Sequence, residues 1–290
     1  MPIDPKQALG AKLAPIESSW NEDKLILYAL GVGVGIGKSQ TDPKVLQYTY
    51  ENGIKALPTY GVIPVFAGIG GLFNVPGLSF NPMMLLHGEQ YTEILEPPLP
   101  TEASIVTEGT ISGIYDKGKG ALVTIDFVTR EKTSGKALIK NVMGVFIRGE
   151  GGFGGDAKSP EVGNNPPDRA PDATVEYKTL TQQALLYRLS GDKNPLHVDP
   201  MMAQMGGFDV PILHGLCTFG NLGRAVLEAF ANDEPERFKS IQVRFSKPVF
   251  PGETIVSQMW KISDTEIVCK ARVKERDLDV ITNAKVTLTK

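Results

Sequence analysis

The sequence predicts an α+β protein made of two similar repeats, each a curled antiparallel sheet around a long apolar helix. Each half contains an apolar segment of helical length that is rich in small residues, residues 57–74 and 211–230. Strand-like runs follow each segment, and a glycine- and proline-rich stretch separates the halves. A single unit of this kind leaves a sheet edge and part of its helix uncovered, so we expect the two units to pair back to back.

The first half predicts its elements from hydrophobic periodicity and turn residues. In order, they are a strand at 15–20, a helix at 22–30, a loop at 31–39, a buried helix at 57–74 with a kink at Pro64, and four strands at 85–95, 104–114, 121–130 and 136–148. A hairpin turn at 116–120 joins the second and third of these four strands. The loop is rich in glycine but matches no nucleotide motif. A phosphate loop would need glycine in place of Val32, and a dinucleotide loop would need it in place of Ile36 or Lys38.

Residues 149–172 predict a linker, because glycine and proline dominate them and Phe153 is their only large apolar residue. We therefore expect an N-terminal repeat at 1–148, the linker at 149–172, and a C-terminal repeat at 173–290. The predicted elements of the second repeat are a strand at 173–179, a helix at 181–189 capped by Thr179 or Thr181, a long helix at 211–230, and strands at 240–249, 254–262, 266–275 and 278–288.

One stretch of the second repeat carries the chemistry: Tyr187-Arg-Leu-Ser-Gly-Asp-Lys-Asn-Pro-Leu-His197. It places an acid, an amide and an imidazole close together, as Asp192, Asn194 and His197. Pro195 fixes its own φ and favours an extended Asn194, so the segment turns instead of continuing as helix. Such a turn can direct Asp192 and His197 at one water. Two groups that share a water are what the transfer of a proton to and from a carbon requires. An ordinary Asx turn around Pro195 is the simpler alternative.

This stretch resembles the signature of the hydratase 2 (MaoC-like) family, in which a small residue, here Ala203, follows the histidine. The resemblance implies a double hot-dog fold and the addition of water to trans-2-enoyl-CoA, giving (3R)-3-hydroxyacyl-CoA in fatty-acid β-oxidation. It also implies catalytic roles. Asp192 and His197 would act on a water held by Asn194, and the N–H of Gly215 at a helix start would stabilise the thioester oxygen.

The resemblance further implies contacts with the acyl-CoA substrate. The predicted substrate-binding residues are His87, Gly88, Lys117, Lys193, Pro195, Leu196 and Phe245. The amine of Lys117 would suit the CoA phosphates, although a solvated turn lysine is the simpler interpretation. Likewise, His87 could be a partly buried strand histidine and Phe245 a core aromatic. Two neighbours are predicted to have structural roles. Asp199 would be a solvated or capping acid, and His214 would cap a helix start, with a catalytic role for His214 as the alternative.

The two repeats also correspond residue by residue. The pairs in this register are Tyr28 with Tyr187, Gly33 with Asp192, Lys38 with His197, and Tyr60 with His214. The first repeat therefore lacks the acid and the base, and we expect it to be non-catalytic. Our hypothesis is that it accommodates the acyl chain in a space lined by Gly33, Gly61, Gly68, Gly70 and Gly71.

Composition narrows the remaining possibilities. A net charge of −3 argues against a nucleic-acid partner, and no apolar run reaches membrane-spanning length. Two isolated cysteines, Cys217 and Cys269, argue against a disulfide scaffold or a zinc site, and we expect no metal and no cofactor beyond the CoA of the substrate. We expect a homodimer. The resemblance implies a peroxisomal location, but the last residues spell no Ser-Lys-Leu address, so cytosol and mitochondrion stay open. The alternatives are a hot-dog acyl-CoA thioesterase and a non-catalytic acyl-CoA-binding module.

Overall fold

A computed structural model describes residues 3–159 and 163–290. The helices are α1 (Pro5–Ala8), α2 (Glu22–Gly31), α3 (Pro43–Thr49), α4 (Phe66–Ile69), α5 (Gln183–Tyr187), α6 (Pro200–Met205) and α7 (Gly215–Phe230). The strands are β1 (Ile16–Trp20), β2 (Leu85–Ile94), β3 (Ala103–Asp116), β4 (Gly120–Glu131), β5 (Ala137–Arg148), β6 (Ala173–Lys178), β7 (Phe238–Phe245), β8 (Thr254–Lys261), β9 (Glu266–Val273) and β10 (Leu278–Leu288). None of these helices combines the length and hydropathy that crossing a membrane requires.

The strands form a single antiparallel sheet in the order β1-β3-β4-β5-β2-β7-β10-β9-β8-β6. From each edge inwards the order is the same, because β1-β3-β4-β5-β2 of the first repeat corresponds to β6-β8-β9-β10-β7 of the second. The repeats join where β2 pairs with β7, with Glu89 opposite Arg244 and Thr92 opposite Ile241. The predicted fold class is confirmed: two hot-dog repeats lie side by side in one chain and share a continuous sheet.

The central helix of the second repeat is α7. Most of its residues are buried, including Leu216, Phe219, Leu222 and Val226. The helix begins at Gly215, four residues later than predicted, because the preceding residues are extended and His214 has φ −56° and ψ 131°. This later start places the first free N–H groups of the helix next to His214.

The corresponding segment of the first repeat is not one helix, and that prediction was wrong. It consists of a 3-10 helix (Pro58–Val65), the single turn α4, and a second 3-10 helix (Gly70–Asn74). Pro64 lies inside the first piece, where it provides no N–H for a helical bond, and several glycines follow. The segment is apolar and largely buried, but its regular helix is interrupted.

Two local predictions in the second repeat also need correction. Helix α5 is shorter than predicted, and the chain continues as a 3-10 turn at Arg188–Ser190. Neither Thr179 nor Thr181 caps it, because its N-cap residue is Gln182, which makes no side-chain capping hydrogen bond. Instead, the Thr179 hydroxyl donates to the carbonyl of Glu253 at 2.8 Å and accepts the N–H of Gly252 at 2.9 Å. Thr179 therefore joins the end of β6 to the turn before β8, a long-range contact that local propensity does not register.

The described residues of the predicted linker, 149–159 and 163–172, pack against the sheet. The Asp116 carboxylate accepts the N–H groups of Gly152 and Gly154 at 2.9 and 2.8 Å, and these contacts lower the pKa of Asp116. Further along, the Trp260 indole donates to the carbonyl of Arg169 at 2.8 Å. Residues 160–162 of the predicted linker lie outside the described residues.

The repeats contact each other through corresponding residues. The rings of Tyr28 and Tyr187, paired in the sequence register, lie 6.0 Å apart across the junction of α2 and α5. Gly31 permits this approach, because a Cβ there would lie 3.3 Å from the Cα of Tyr187. The following loop has positive φ at Gly33 and Gly35, as its glycine content predicted.

Candidate active site

The signature stretch forms a tight turn between α5 and α6. The Asp192 carboxylate accepts the N–H of Asn194 at 3.1 Å, and the Asn194 amide oxygen accepts the N–H of Leu196 at 3.0 Å. These successive Asx turns lead into a 3-10 helix at Pro195–His197. The Asx interpretation and the catalytic interpretation therefore do not compete, because the turn determines where Asp192 and His197 lie.

His197 is held in one orientation by the backbone. Its Nδ1–H donates to the carbonyl of Ile212 at 2.8 Å. A neutral imidazole carries one N–H, so this assignment leaves a free lone pair on Nε2. The side chain is 8% exposed and lines the cavity. Burial lowers the pKa of His197, and the nearby Asp192 carboxylate only partly opposes this shift. The ring is therefore a neutral proton acceptor near pH 7.

Asp192 and His197 lie close together. Asp192, His197 and His214 each place a polar side-chain atom within 4.8 Å of the other two. Two hydrogen bonds of about 2.8 Å that meet at one water span a similar distance. A single water can therefore contact the Asp192 carboxylate and the His197 imidazole together.

His214 contacts both residues of this pair. Its Nε2–H donates to the backbone carbonyl of Asp192 at 3.1 Å, and its ring stacks on that of His197 with centroids 3.7 Å apart. Burial lowers the pKa of His214 to about 2, helped by its neighbour His197, so the ring is neutral. His214 occupies the N-cap position of α7, but its side chain makes no capping hydrogen bond. The predicted capping role was wrong. Asp199, by contrast, caps α6 through the N–H of Met201, as predicted.

Gly215, the first residue of α7, lines the same cavity as Asp192 and His197. Within residues 3–159 and 163–290, no acceptor takes its N–H group. A helix start offers free N–H groups and positive potential, which suit an oxygen that gains negative charge. A Cβ at this position would lie 3.2 Å from the Phe245 ring, so a glycine leaves room for a substrate to approach.

The three polar groups are poorly arranged for a metal ion, although they lie within 4.8 Å of one another. Nδ1 of His197 and Nε2 of His214 are already hydrogen-bonded to carbonyl oxygens. The two rings are stacked with 27° between their planes. In-plane lone pairs on two stacked rings lie in nearly parallel planes, which does not suit the convergence on one ion that tetrahedral ligation requires.

A cavity of about 1840 Å³ connects these groups with the first repeat. Nine of the predicted site residues line it: Asp192, Asn194, His197, Gly215, His87, Gly88, Lys117, Leu196 and Phe245. Lys193 and Pro195, which are both exposed, do not line it. The structure thus brings together residues that are more than a hundred positions apart in the sequence.

His87 lies on the opposite wall, at an irregularity in the pairing of β2 with β5. Its Nε2–H points at the Glu89 carbonyl and the Gln90 amide oxygen, both at 3.1 Å. Its ring meets the Phe245 ring edge-on, with centroids 5.2 Å apart. Burial lowers the pKa of His87 to about 4. His87 is therefore a neutral, partly buried strand histidine that also forms part of the cavity wall.

Five cationic residues line the cavity. Four of them, here called the basic end, are Lys117, Lys158, Arg244 and Lys247, and the fifth, Lys24, lies in α2 of the first repeat. The Lys117 amine donates to the Ala157 carbonyl at 2.6 Å and to the Ser159 hydroxyl at 2.9 Å, so it is tied to the linker and not freely solvated. Lys158 was not among the predicted site residues, because one lysine in a linker carries no local signal.

The first repeat contributes a mostly apolar part of the lining, here called the apolar end, which also includes Ser18, Ser19 and Lys24. Its lining residues include Trp20, Leu27, Tyr60, Ile63, Phe66, Ala67 and Ile69. We had expected glycines to line this space, and that expectation was wrong: Gly33, Gly61, Gly68, Gly70 and Gly71 do not line the cavity. Gly61 and Gly68 instead allow close packing against Ile94 and Phe127. The interrupted central segment exposes one side of its larger apolar residues to the cavity.

Two hot-dog repeats in one sheet, with an acid and an imidazole in only one of them, define a double hot-dog protein of the MaoC-like class. Comparisons with known protein families agree. Residues 18–149 match the family model described as the MFE-2 hydratase 2 N-terminal domain. Residues 162–284 match the model described as the MaoC like domain. The chain belongs to the hydratase 2 family of MaoC-like proteins.

Similar proteins cover the whole chain. A Dictyostelium discoideum protein named probable enoyl-CoA hydratase 2 is 46% identical over 294 residues, which span 99% of this chain and 97% of the relative. The crystal structure of a MaoC-like dehydratase from Phytophthora capsici has a TM-score of 0.86 at 36% identity and covers 99% of both chains. The full-length peroxisomal multifunctional enzyme type 2 from Drosophila melanogaster has a TM-score of 0.82 at 40% identity. The alignment covers 96% of this chain but 48% of that enzyme.

Proposed function

We propose that the chain is a lyase that hydrates trans-2-enoyl-CoA to (3R)-3-hydroxyacyl-CoA, reversibly, in fatty-acid β-oxidation. One observation carries the proposal: the Asp192 carboxylate and the His197 imidazole lie within 4.8 Å of each other in a cavity that Gly215 also lines. Relatives named enoyl-CoA hydratase 2 support the same activity. The CoA belongs to the substrate, and the reaction needs no further cofactor.

In the proposed reaction, the Gly215 N–H donates to the thioester oxygen and stabilises the charge that develops there. A water held by Asp192 and by Nε2 of His197 attacks C3, with Asn194 donating its free amide N–H to the same water. Nε2 accepts a proton from the water as its oxygen bonds to C3. Asp192 and His197 then deliver one proton to C2, so the net change is the addition of one water. Both new bonds form on the face of the alkene that the pair occupies, which makes one enantiomer.

The two ends of the cavity suggest how the substrate lies. The basic end, with Lys117, Lys158 and Arg244, would hold the CoA phosphates. The apolar end, in the first repeat, would hold the acyl chain. This arrangement supports the division into a non-catalytic repeat at 1–148, a linker at 149–172 and a catalytic repeat at 173–290. Lys193 and Pro195 are not needed as substrate contacts in this arrangement.

Location and assembly complete the proposal. Relatives named as peroxisomal enzymes support a peroxisomal location, which imaging of the tagged chain with a peroxisomal marker would test. We also propose a homodimer, since Met201 and Met205 of α6 are 73% and 69% exposed, unusually high for apolar side chains. Sedimentation equilibrium of the chain would distinguish a dimer from a monomer.

The decisive experiment is incubation with trans-2-decenoyl-CoA, followed by chiral analysis of the product. We expect (3R)-3-hydroxydecanoyl-CoA from the wild type and almost none from Asp192→Asn. A thiol reagent in a parallel reaction reports free CoA. Release of free CoA without the hydroxy product would identify a thioesterase, and ligand binding without any turnover would identify a binding module.

A further inference from the structure

We infer that His214 is a positioning residue, which holds the acid, the imidazole and the oxyanion donor in one fixed arrangement. The inference rests on the proposed hydratase function, because it assigns a role within that reaction. His214 is not among the residues that line the cavity. It therefore acts on its neighbours and not on the substrate.

Three contacts connect His214 to the three catalytic groups. Its Nε2–H donates to the Asp192 carbonyl at 3.1 Å, and its ring stacks on His197 with centroids 3.7 Å apart. Its own backbone precedes Gly215 directly, and its carbonyl accepts the N–H of Cys217 at 3.0 Å, which closes the first turn of α7. One residue thus contacts the acid loop and the base, and its backbone fixes the donor.

The surroundings make these contacts hard to replace by solvent. The His214 side chain is 1% exposed, and the Tyr187 ring lies behind it at a centroid distance of 4.9 Å. The chain from Gly191 to Asn194 has no regular secondary structure. The hydrogen bond from His214 therefore ties the Asp192 backbone to the start of α7, beside the local hydrogen bonds of Gly191, Lys193 and Asn194. Without it, the Asp192 carbonyl would lose its partner.

Two substitutions separate the hydrogen bond from the stack. His214→Phe keeps a flat ring over His197 but has no donor for the Asp192 carbonyl. We expect kcat on trans-2-decenoyl-CoA to fall on the order of 10- to 100-fold, the cost of an unpaired buried acceptor. The acid limb of the pH profile should not move, because His197 stays covered.

His214→Gln has the opposite effect. Its amide N–H can still reach the Asp192 carbonyl, but the ring over His197 is gone. Water that reaches His197 relieves the burial that lowers its pKa, so the acid limb should move to higher pH. We expect this variant to keep more kcat than His214→Phe. A residue with only a general structural role would not produce this reciprocal pattern.

Both variants are measured beside the wild type, with circular dichroism for folding and saturated decanoyl-CoA for binding. A wild type without hydratase activity overturns the proposed function itself. If the wild type is active and both variants have the same kcat and the same acid limb as the wild type, only the inference on His214 is overturned. Equal losses of kcat with unshifted acid limbs overturn it too, because general loosening predicts that result. If His214→Phe does not fold, the acid limb of His214→Gln decides alone.

Discussion

The Nδ1–H of His197 donates to the carbonyl oxygen of Ile212, 2.8 Å away, and this contact determines which ring nitrogen is free to accept a proton. Because burial lowers the pKa of His197 below its ordinary value of 6.5, the ring stays neutral as the pH falls through 6.5. We therefore predict that kcat/KM on trans-2-decenoyl-CoA stays level through that pH and falls only below it. A pH–rate profile whose acid limb lies at or above 6.5 would contradict this assignment.

The acid should matter far more than its neighbour in the same stretch. Asp192→Asn removes the carboxylate that we propose holds the reacting water, and we predict that kcat falls by about 10²–10⁴-fold with a small change in KM. Asp199→Asn is the matched control. Asp199 caps α6 outside the cavity, and asparagine caps a helix equally well, so kcat should stay near the wild-type value. Similar losses in both variants would show that the effect comes from the turn and not from the carboxylate.

The N–H of Gly215 can be removed without removing the helix. Proline is favoured in the first turn of a helix, and the extended conformation of His214 is compatible with a following proline. Gly215→Pro therefore deletes the donor, whereas Gly215→Ala adds a Cβ near Phe245 but keeps the N–H. We predict a modest loss of kcat for alanine and a further loss of about 10²–10³-fold for proline. Equal kcat in the two variants would exclude the N–H as the oxyanion donor.

The strands and the turn that carries Asp192 and His197 were predictable because their signals are local. Alternation and turn residues placed the last strand at 278–288, as observed for β10. The spacing of Asp192 and His197 around Pro195 predicted that they share one turn. The rest depended on contacts that side-chain patterns do not encode. The Ile212 carbonyl that orients His197 is a backbone group fifteen residues away, so no residue type marks it.

The helix type of the central segment in the first repeat could not be predicted from its sequence. Its segment from 57 to 74 has the hydropathy of a buried helix, but hydropathy does not distinguish an α-helix from successive 3-10 turns. The outcome depends on where Pro64 falls in the hydrogen-bond pattern. The glycines were expected in the cavity because they are small, whereas the structure uses Gly68 for close packing against Phe127.

The three histidines predict how stability depends on pH. Burial lowers the folded-state pKa of His87 to about 4 and of His214 to about 2, and also lowers that of His197. Between pH 6.5 and the carboxyl range the unfolded chain binds more protons, so the free energy of unfolding is greatest above 6.5 and declines as the pH falls. Urea denaturation at several pH values from 7.5 to 5 measures this slope. His87→Gln should make it shallower, and a flat profile in the wild type would contradict the burial of neutral histidines.

The apolar end of the cavity predicts a chain-length effect. Ala67 lines it, and a tryptophan there would occupy space that we assign to the acyl chain. We predict that Ala67→Trp lowers kcat/KM on trans-2-decenoyl-CoA at least about tenfold, the cost of roughly two lost methylene contacts, and leaves crotonyl-CoA nearly unchanged. Gly70→Trp is the control, because Gly70 is close in sequence, lies outside the cavity lining and has open space around its Cβ position. Equal losses on both substrates in Ala67→Trp would indicate general damage. A loss for decenoyl-CoA in Gly70→Trp as well would place the acyl chain elsewhere.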